Sequence, residues 1–230
     1  SLASGARVEV DPATESNYGR ALFEAGRYAE AMPLLDHALQ MAERSQNAIH
    51  IGQVSLFAAL AYGQLGDTAR GARLIELSAR SLGKVLPPEH PPFAQVWVVR
   101  ARLAFAQGNA RAAMAHLQQA FERLGPSSQN APRRITPLHL RARIELQLGR
   151  LDAALASASE SVALARAFLG PVEASSHLGL ALMALGLVQA SRGDQAAARA
   201  ALNEAKQQFT AAIASDCPLA REASDQLKAL

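Results

Sequence analysis

The twenty residues from Gly19 to Ala38, GRALFEAGRYAEAMPLLDHA, decide how the rest of the chain is read. Around Gly26 they place a small residue seven positions before (Gly19), five after (Ala31) and twelve after (Ala38). The same spacing returns around four further glycines. Gly66 has Ala59, Gly71 and Ser78; Gly108 has Ala101, Ala113 and Ala120; Gly149 has Ala142, Ala154 and Ser161; Gly193 has Gly186, Ala198 and Ala205. The glycines lie 40, 42, 41 and 44 residues apart, a period that signals a solenoid. Each is flanked on both sides by a run of helix-favouring residues, so each marks a tight turn between two helices. Two antiparallel helices approach to about 8–10 Å only where the side chains at their crossing are small. A repeated set of small residues therefore repeats one helix crossing.

Composition points the same way. Fifty of the 230 residues are alanine, the best helix former and a poor strand former, which excludes a mostly β architecture. With 50% hydrophobic residues and a mean hydropathy of +0.02, the chain is too apolar for intrinsic disorder. No apolar run reaches the roughly 18 residues of a membrane span; the richest, Leu178 to Ala190, reads as a buried helix, and no membrane partner is expected. The net charge of +3 is too small to predict a nucleic-acid partner. Arg supplies twenty of the 23 cations, which together with the alanine content reads as a GC-rich bacterial coding bias. The single cysteine, Cys217, rules out an internal disulfide and favours a reducing compartment. A start at Ser1 without an initiator Met reads as a fragment of a longer cytoplasmic protein.

The stretches Ala25-Gly26-Arg27-Tyr28-Ala29-Glu30-Ala31 and Gly193-Asp194-Gln195-Ala196-Ala197-Ala198 resemble the turn and second-helix start of the tetratricopeptide repeats. The period near 42 is similar to the longer repeats of kinesin light chains and their bacterial relatives. Leu82-Gly83, Pro87-Pro88-Glu89-His90-Pro91 and Leu169-Gly170-Pro171 resemble the linker of that subclass. The bulky residue usual four before the turn glycine is present as Leu22 and Tyr62 but is Ala104, Glu145 and Gln189 elsewhere. The resemblance implies an all-α, right-handed superhelical solenoid of five helical hairpins, over about 13–47, 48–90, 91–132, 133–172 and 173–216. Residues 1–12 would be a leader and 218–230 a helix capping the open end, as solenoids require.

Local signals place the helix limits. Thr136-Pro137 reads as an N-cap followed by proline at the first helical position, and Asp216 ahead of Pro218 reads likewise for the last helix. Gly125-Pro126-Ser127-Ser128-Gln129-Asn130 reads as a loop. Pro33 falls inside a second helix, where a slight bend is expected.

The chain carries no nucleophile elbow, Walker loop, dinucleotide fingerprint or zinc-protease helix. Its six histidines form no i,i+3 or i,i+4 pair with one another, so neither metal nor cofactor is expected, nor an enzyme. Cys217 reads as packed and inert. Function is then carried by a surface, and in a solenoid the first helices line the concave side. Positions ten, six and three before each turn glycine share one stripe. The candidates there are Arg20, Phe23, Leu56, Val98, Arg102, Phe105, His139 and Arg143. Three arginines six before the glycine, among apolar neighbours, suit a protein or peptide segment bearing acidic and apolar side chains. The competing reading has these arginines snorkelling and their apolar neighbours packed between helices. Arg133, Arg134, Arg141, Arg143 and Arg150, against a single Glu145, read as a solvated basic face without the interleaved aromatics of a nucleic-acid site. A sensor domain of a larger bacterial signalling protein, or a module that self-associates through its ends, are the alternative functions.

Overall fold

In a computed structural model, residues 12–88, 90–125, 127–169 and 174–230 are described. Among them are eleven helices and no strand: α1 Pro12–Glu24, α2 Tyr28–Arg44, α3 Ala48–Gln64, α4 Thr68–Leu82, α5 Pro91–Ala106, α6 Ala110–Leu124, α7 Ser127–Gln147, α8 Leu151–Leu169, α9 Ser176–Ser191, α10 Gln195–Ala212 and α11 Pro218–Lys228. Each of the first ten packs on its hairpin partner, and successive hairpins stack in chain order into a solenoid, with α11 on α10. None of these helices is long and apolar enough to cross a membrane.

The five turn glycines hold left-handed backbone, with φ of 76° at Gly26, 89° at Gly66, 76° at Gly108, 72° at Gly149 and 85° at Gly193. A Cβ is strained there, which is why glycine marks the turn. At three of the turns the next residue caps the second helix: the side chains of Asp67, Asn109 and Asp194 accept from the backbone N–H three residues on, at 2.9–3.0 Å.

The small residues meet as the repeat predicts. A Cβ on Gly71 would stand 3.0 Å from the Ala59 carbonyl, and one on Gly186 3.3 Å from the Ala198 carbonyl, so the positions seven before and five after the turn face each other. The position twelve after closes on the start of the same hairpin, where Ser78 Oγ donates to the Gly52 carbonyl at 2.6 Å and Ser161 Oγ to the Ile135 carbonyl at 2.9 Å. A further pairing joins residues fourteen before and sixteen after the glycine. Gly52 lies under Leu82 and Gly179 under Phe209, a Cβ on either meeting the larger side chain at 2.6 Å. In the fourth hairpin the sizes are exchanged, with Ile135 and Ala165 both buried. These three hairpins thus trade volume from one side of the crossing to the other.

Several local expectations are corrected. α7 begins at Ser127, so Ser127 to Asn130 is helical, and Pro132 and Pro137 lie inside the helix instead of opening it. Proline costs a helix interior about 3 kcal/mol; burial of Ile135, Leu138, His139 and Ala142 on this segment outweighs that. The last helix is capped by Cys217, not Asp216: its sulfur accepts from the Ala220 N–H at 3.4 Å, and the side chain is 5% exposed. α2 runs through Pro33 unbroken. Glu89, Gly170 and Pro171 of the linkers, and residues 1–11 of the leader, lie outside the described residues.

Candidate functional site

The first helices α1, α3, α5, α7 and α9 touch one another in series and form an inner wall. Against it lies a cavity of about 620 Å³, and all eight candidate residues line it. Their exposure differs. Leu56, Val98 and His139 are 6%, 8% and 4% exposed and make the floor. Phe23, Phe105, Arg102 and Arg143 are half-buried, and Arg20 is exposed at the rim. Leu56 packs with Ile75, Val99 and Leu103, and Val98 with Leu117 and Leu140, so both serve the core as well as the cavity.

The arginines fall into two kinds. Arg20 lies 3.7 Å from Glu24 and 5.8 Å over the Phe57 ring. Arg143 lies 5.6 Å over the Phe105 ring, and neither Arg143 nor Arg102 has a carboxylate or hydrogen-bond partner among the described residues. Burial, together with the like charge of Arg143, pulls the Arg102 pKa below its ordinary value, with Tyr28 opposing. His139 is held neutral well below the usual imidazole range by burial first, then by Arg102, Arg143 and His177. Its Nδ1 is buried beside the Ile135 backbone, which opposes that shift without a hydrogen bond of ordinary geometry.

The lining residues outside the stripe include Tyr28 and a pair from α11. Tyr28 opens the second helix of the first hairpin, and its phenol is pushed up by burial and by Glu222, against Arg102 and Arg143. Glu222 and Leu219 come from the start of α11. No periodic signal marks either, because only the curl of the solenoid brings the first hairpin and the last helix together. Among the described residues, no group of three His, Cys, Asp or Glu is placed to hold a metal ion.

The basic stretch is divided among different surroundings. Arg134 and Arg141 stack on Phe121 at 4.9 and 5.0 Å and lie 3.8 and 3.7 Å from Glu160. Arg141 Nε also donates to Ser157 Oγ at 2.8 Å, which donates to buried Glu145 at 2.6 Å. Arg133 and Arg143 line the cavity. These side chains therefore do not form one solvated face: successive helical residues point about 100° apart.

The sequence matches models described as tetratricopeptide repeat over residues 16–50 and over 94–119, 136–160 and 179–204. No curated protein matches it. Among solved structures, a thermophilic tetratricopeptide protein from Thermus thermophilus is 21% identical, with a TM-score of 0.61 over 94% of this chain and 99% of that one. Kinesin light chain-like repeats from Podospora anserina are 19% identical, with a TM-score of 0.55 over 86% of this chain and 95% of that one. The signal transduction ATPase with a tetratricopeptide sensor from Pyrococcus horikoshii is 14% identical, with a TM-score of 0.62 over 96% of this chain and 32% of that one. At these identities the likeness is one of fold.

Proposed function

We propose, from the premise that this chain belongs to the tetratricopeptide repeat family, that it acts without catalysis of its own by capturing a partner protein segment on its inner wall. Tetratricopeptide repeats serve generally as protein-interaction modules, which sets the class of function. The observation that carries the finer reading is the pair Arg102 and Arg143, left without carboxylate partners among the described residues, beside Phe23, Phe105 and the apolar floor. A guanidinium already dehydrated by its surroundings gains more from an incoming carboxylate than one in open water. The favoured segment therefore bears acidic and apolar side chains, and its acidic group is held by Arg102 and Arg143, with Arg20 at the rim.

The test is charge reversal. A partner segment is obtained by capture from the source cell and peptide mapping, and its affinity is measured for the parent chain and for Arg102→Glu/Arg143→Glu. At least a tenfold loss, about 1.4 kcal/mol, is expected with unchanged helical circular dichroism. Unchanged affinity in the folded double variant moves the site off the inner wall.

A second reading, a sensor domain of a longer bacterial signalling protein, is favoured by the fold shared with the sensor-bearing ATPase and by a cavity walled partly by the chain's own last helix. The coding sequence on either side of this chain discriminates: an adjoining output domain supports it.

A further inference from the structure

Three features of the cavity exceed what a groove for a partner segment requires. The first is walling from the far end of the fold. The start of α11 brings Leu219 and Glu222 into the lining, while Pro218 meets the first turn at Gly26. The resulting 620 Å³ falls within the range of about 300–1,000 Å³ typical of sites that enclose a small molecule. The second is uncompensated charge. Arg102 and Arg143 act on each other unfavourably and meet no carboxylate among the described residues, although Glu24 and Glu222 stand at the rim. The third is His139: 4% exposed and on the cavity floor, it is held neutral by burial and by the two arginines, with the Ile135 backbone opposing. A titratable group kept neutral beside them shows how strongly the site disfavours further positive charge.

The rest of the lining limits what that ligand is. Phe105, Leu180, Met183 and Leu219 supply apolar wall. A fully hydrated polyanion would leave these surfaces unused, and a neutral apolar molecule would leave the guanidinium pair unmatched. We propose that the cavity binds a small organic acid, its single carboxylate held by Arg102 and Arg143 and its aromatic or aliphatic body lying against Phe105, Leu180 and Met183. The site goes beyond capture of a partner segment and does not rest on it: the acid is itself the ligand, and no second protein is needed to see it bind.

The probes are phenylacetate and octanoate, titrated calorimetrically into the full chain near neutral pH, beside phenylacetamide and inorganic phosphate. The expected result is saturable one-to-one binding of at least one acid below about 10 mM, at least tenfold tighter than both phenylacetamide and phosphate. Arg102→Gln and Arg143→Gln each weaken it at least tenfold. Leu180→Trp, at a partly buried position of the apolar wall, weakens it as well, and circular dichroism checks that each variant is folded. The proposal is overturned if neither acid binds in that range, or if phenylacetamide matches phenylacetate, since the arginines then contribute nothing. It is equally overturned if phosphate matches both acids, since charge alone would then account for binding, or if acid binding survives in folded Arg102→Gln.

Discussion

Pro218, the first residue of α11, lies against Gly26, the turn glycine of the first hairpin: a Cβ on Gly26 would stand 3.3 Å from the proline's own Cβ. One residue belongs to the first repeat and the other to the terminal helix, so this contact closes the solenoid on itself. The terminal helix therefore covers the end of the last hairpin and also walls the inner cavity. Leu219, buried beside Phe209 and Ala220 in one core cluster, does the first; Glu222, facing Tyr28, does the second.

That contact has a clean internal control. Gly26 and Gly108 share a φ of 76°, but a Cβ on Gly108 would meet nothing within 4 Å. Alanine at either position carries the same left-handed strain, about 1–2 kcal/mol. Gly26→Ala is expected to lose more stability in urea than Gly108→Ala, the excess being the displaced Pro218. Equal losses would show that the ends do not stay closed in solution.

A second prediction concerns Gly179 and Phe209. Alanine in a helix interior ordinarily gains about 1 kcal/mol over glycine, yet here its Cβ would lie 2.6 Å from the Phe209 ring. Overpacking of this kind costs about 1–3 kcal/mol, so Gly179→Ala is expected to destabilise. Phe209→Leu also destabilises the parent, by opening a cavity. Combined, the two lose less than their sum, with a coupling of about 0.5–3 kcal/mol in a double-mutant cycle. Strict additivity would deny the volume exchange across the crossing.

Arg102 is expected to cost the fold something. Arg102→Met keeps much of the stem's packing and removes a half-buried charge that Arg143 repels. The variant should be at least as stable as the parent in urea, gaining up to about 1 kcal/mol, while losing affinity for acidic ligands. A clear loss of stability would mean that the guanidinium is already matched within the fold.

The neutral state of His139 gives a pH dependence with a definite sign. In the unfolded chain the imidazole takes up a proton near pH 6.5, whereas the folded chain keeps it neutral to well below that. Below 6.5 the unfolded state thus binds the extra proton, and stability falls as pH is lowered, by up to about 1.4 kcal/mol per unit for this group. His116, lowered by burial and by Arg100, acts in the same direction. His139→Gln should flatten the slope between pH 6.5 and 5 without abolishing it. An unchanged slope would place His139 in water.

The stripe rule placed its eight candidates on one cavity, though five of its fifteen positions lie outside the lining, because each candidate sits at a fixed offset from a turn glycine and helical geometry turns a fixed offset into a fixed direction. It failed at Tyr28, Leu219 and Glu222, which reach the cavity from a second helix and from the terminal helix. The start of α7 was hidden for a different reason: Pro132 and Pro137 are local stop signals, and the burial that overrides them is contributed by neighbouring hairpins. Cys217 replaced Asp216 as the cap because the helix begins one residue later than the acidic side chain could serve. The exchange between Gly179 with Phe209 and Ile135 with Ala165 was present in the sequence, but as volume traded between two positions and not as a constant residue type.

The amino-acid order by itself determined the hairpin, its turn and its crossing, since left-handed glycine, cap and small residue act within one repeat of about 42 residues and recur with it. What only the tertiary structure decided is how five such units curve. Curvature is the sum of small rotations between neighbouring hairpins, and no single residue carries that sum. On it depend the meeting of Pro218 with Gly26, the walling of the inner cavity by the last helix, and the two arginines left facing that cavity with no carboxylate to hold among the described residues.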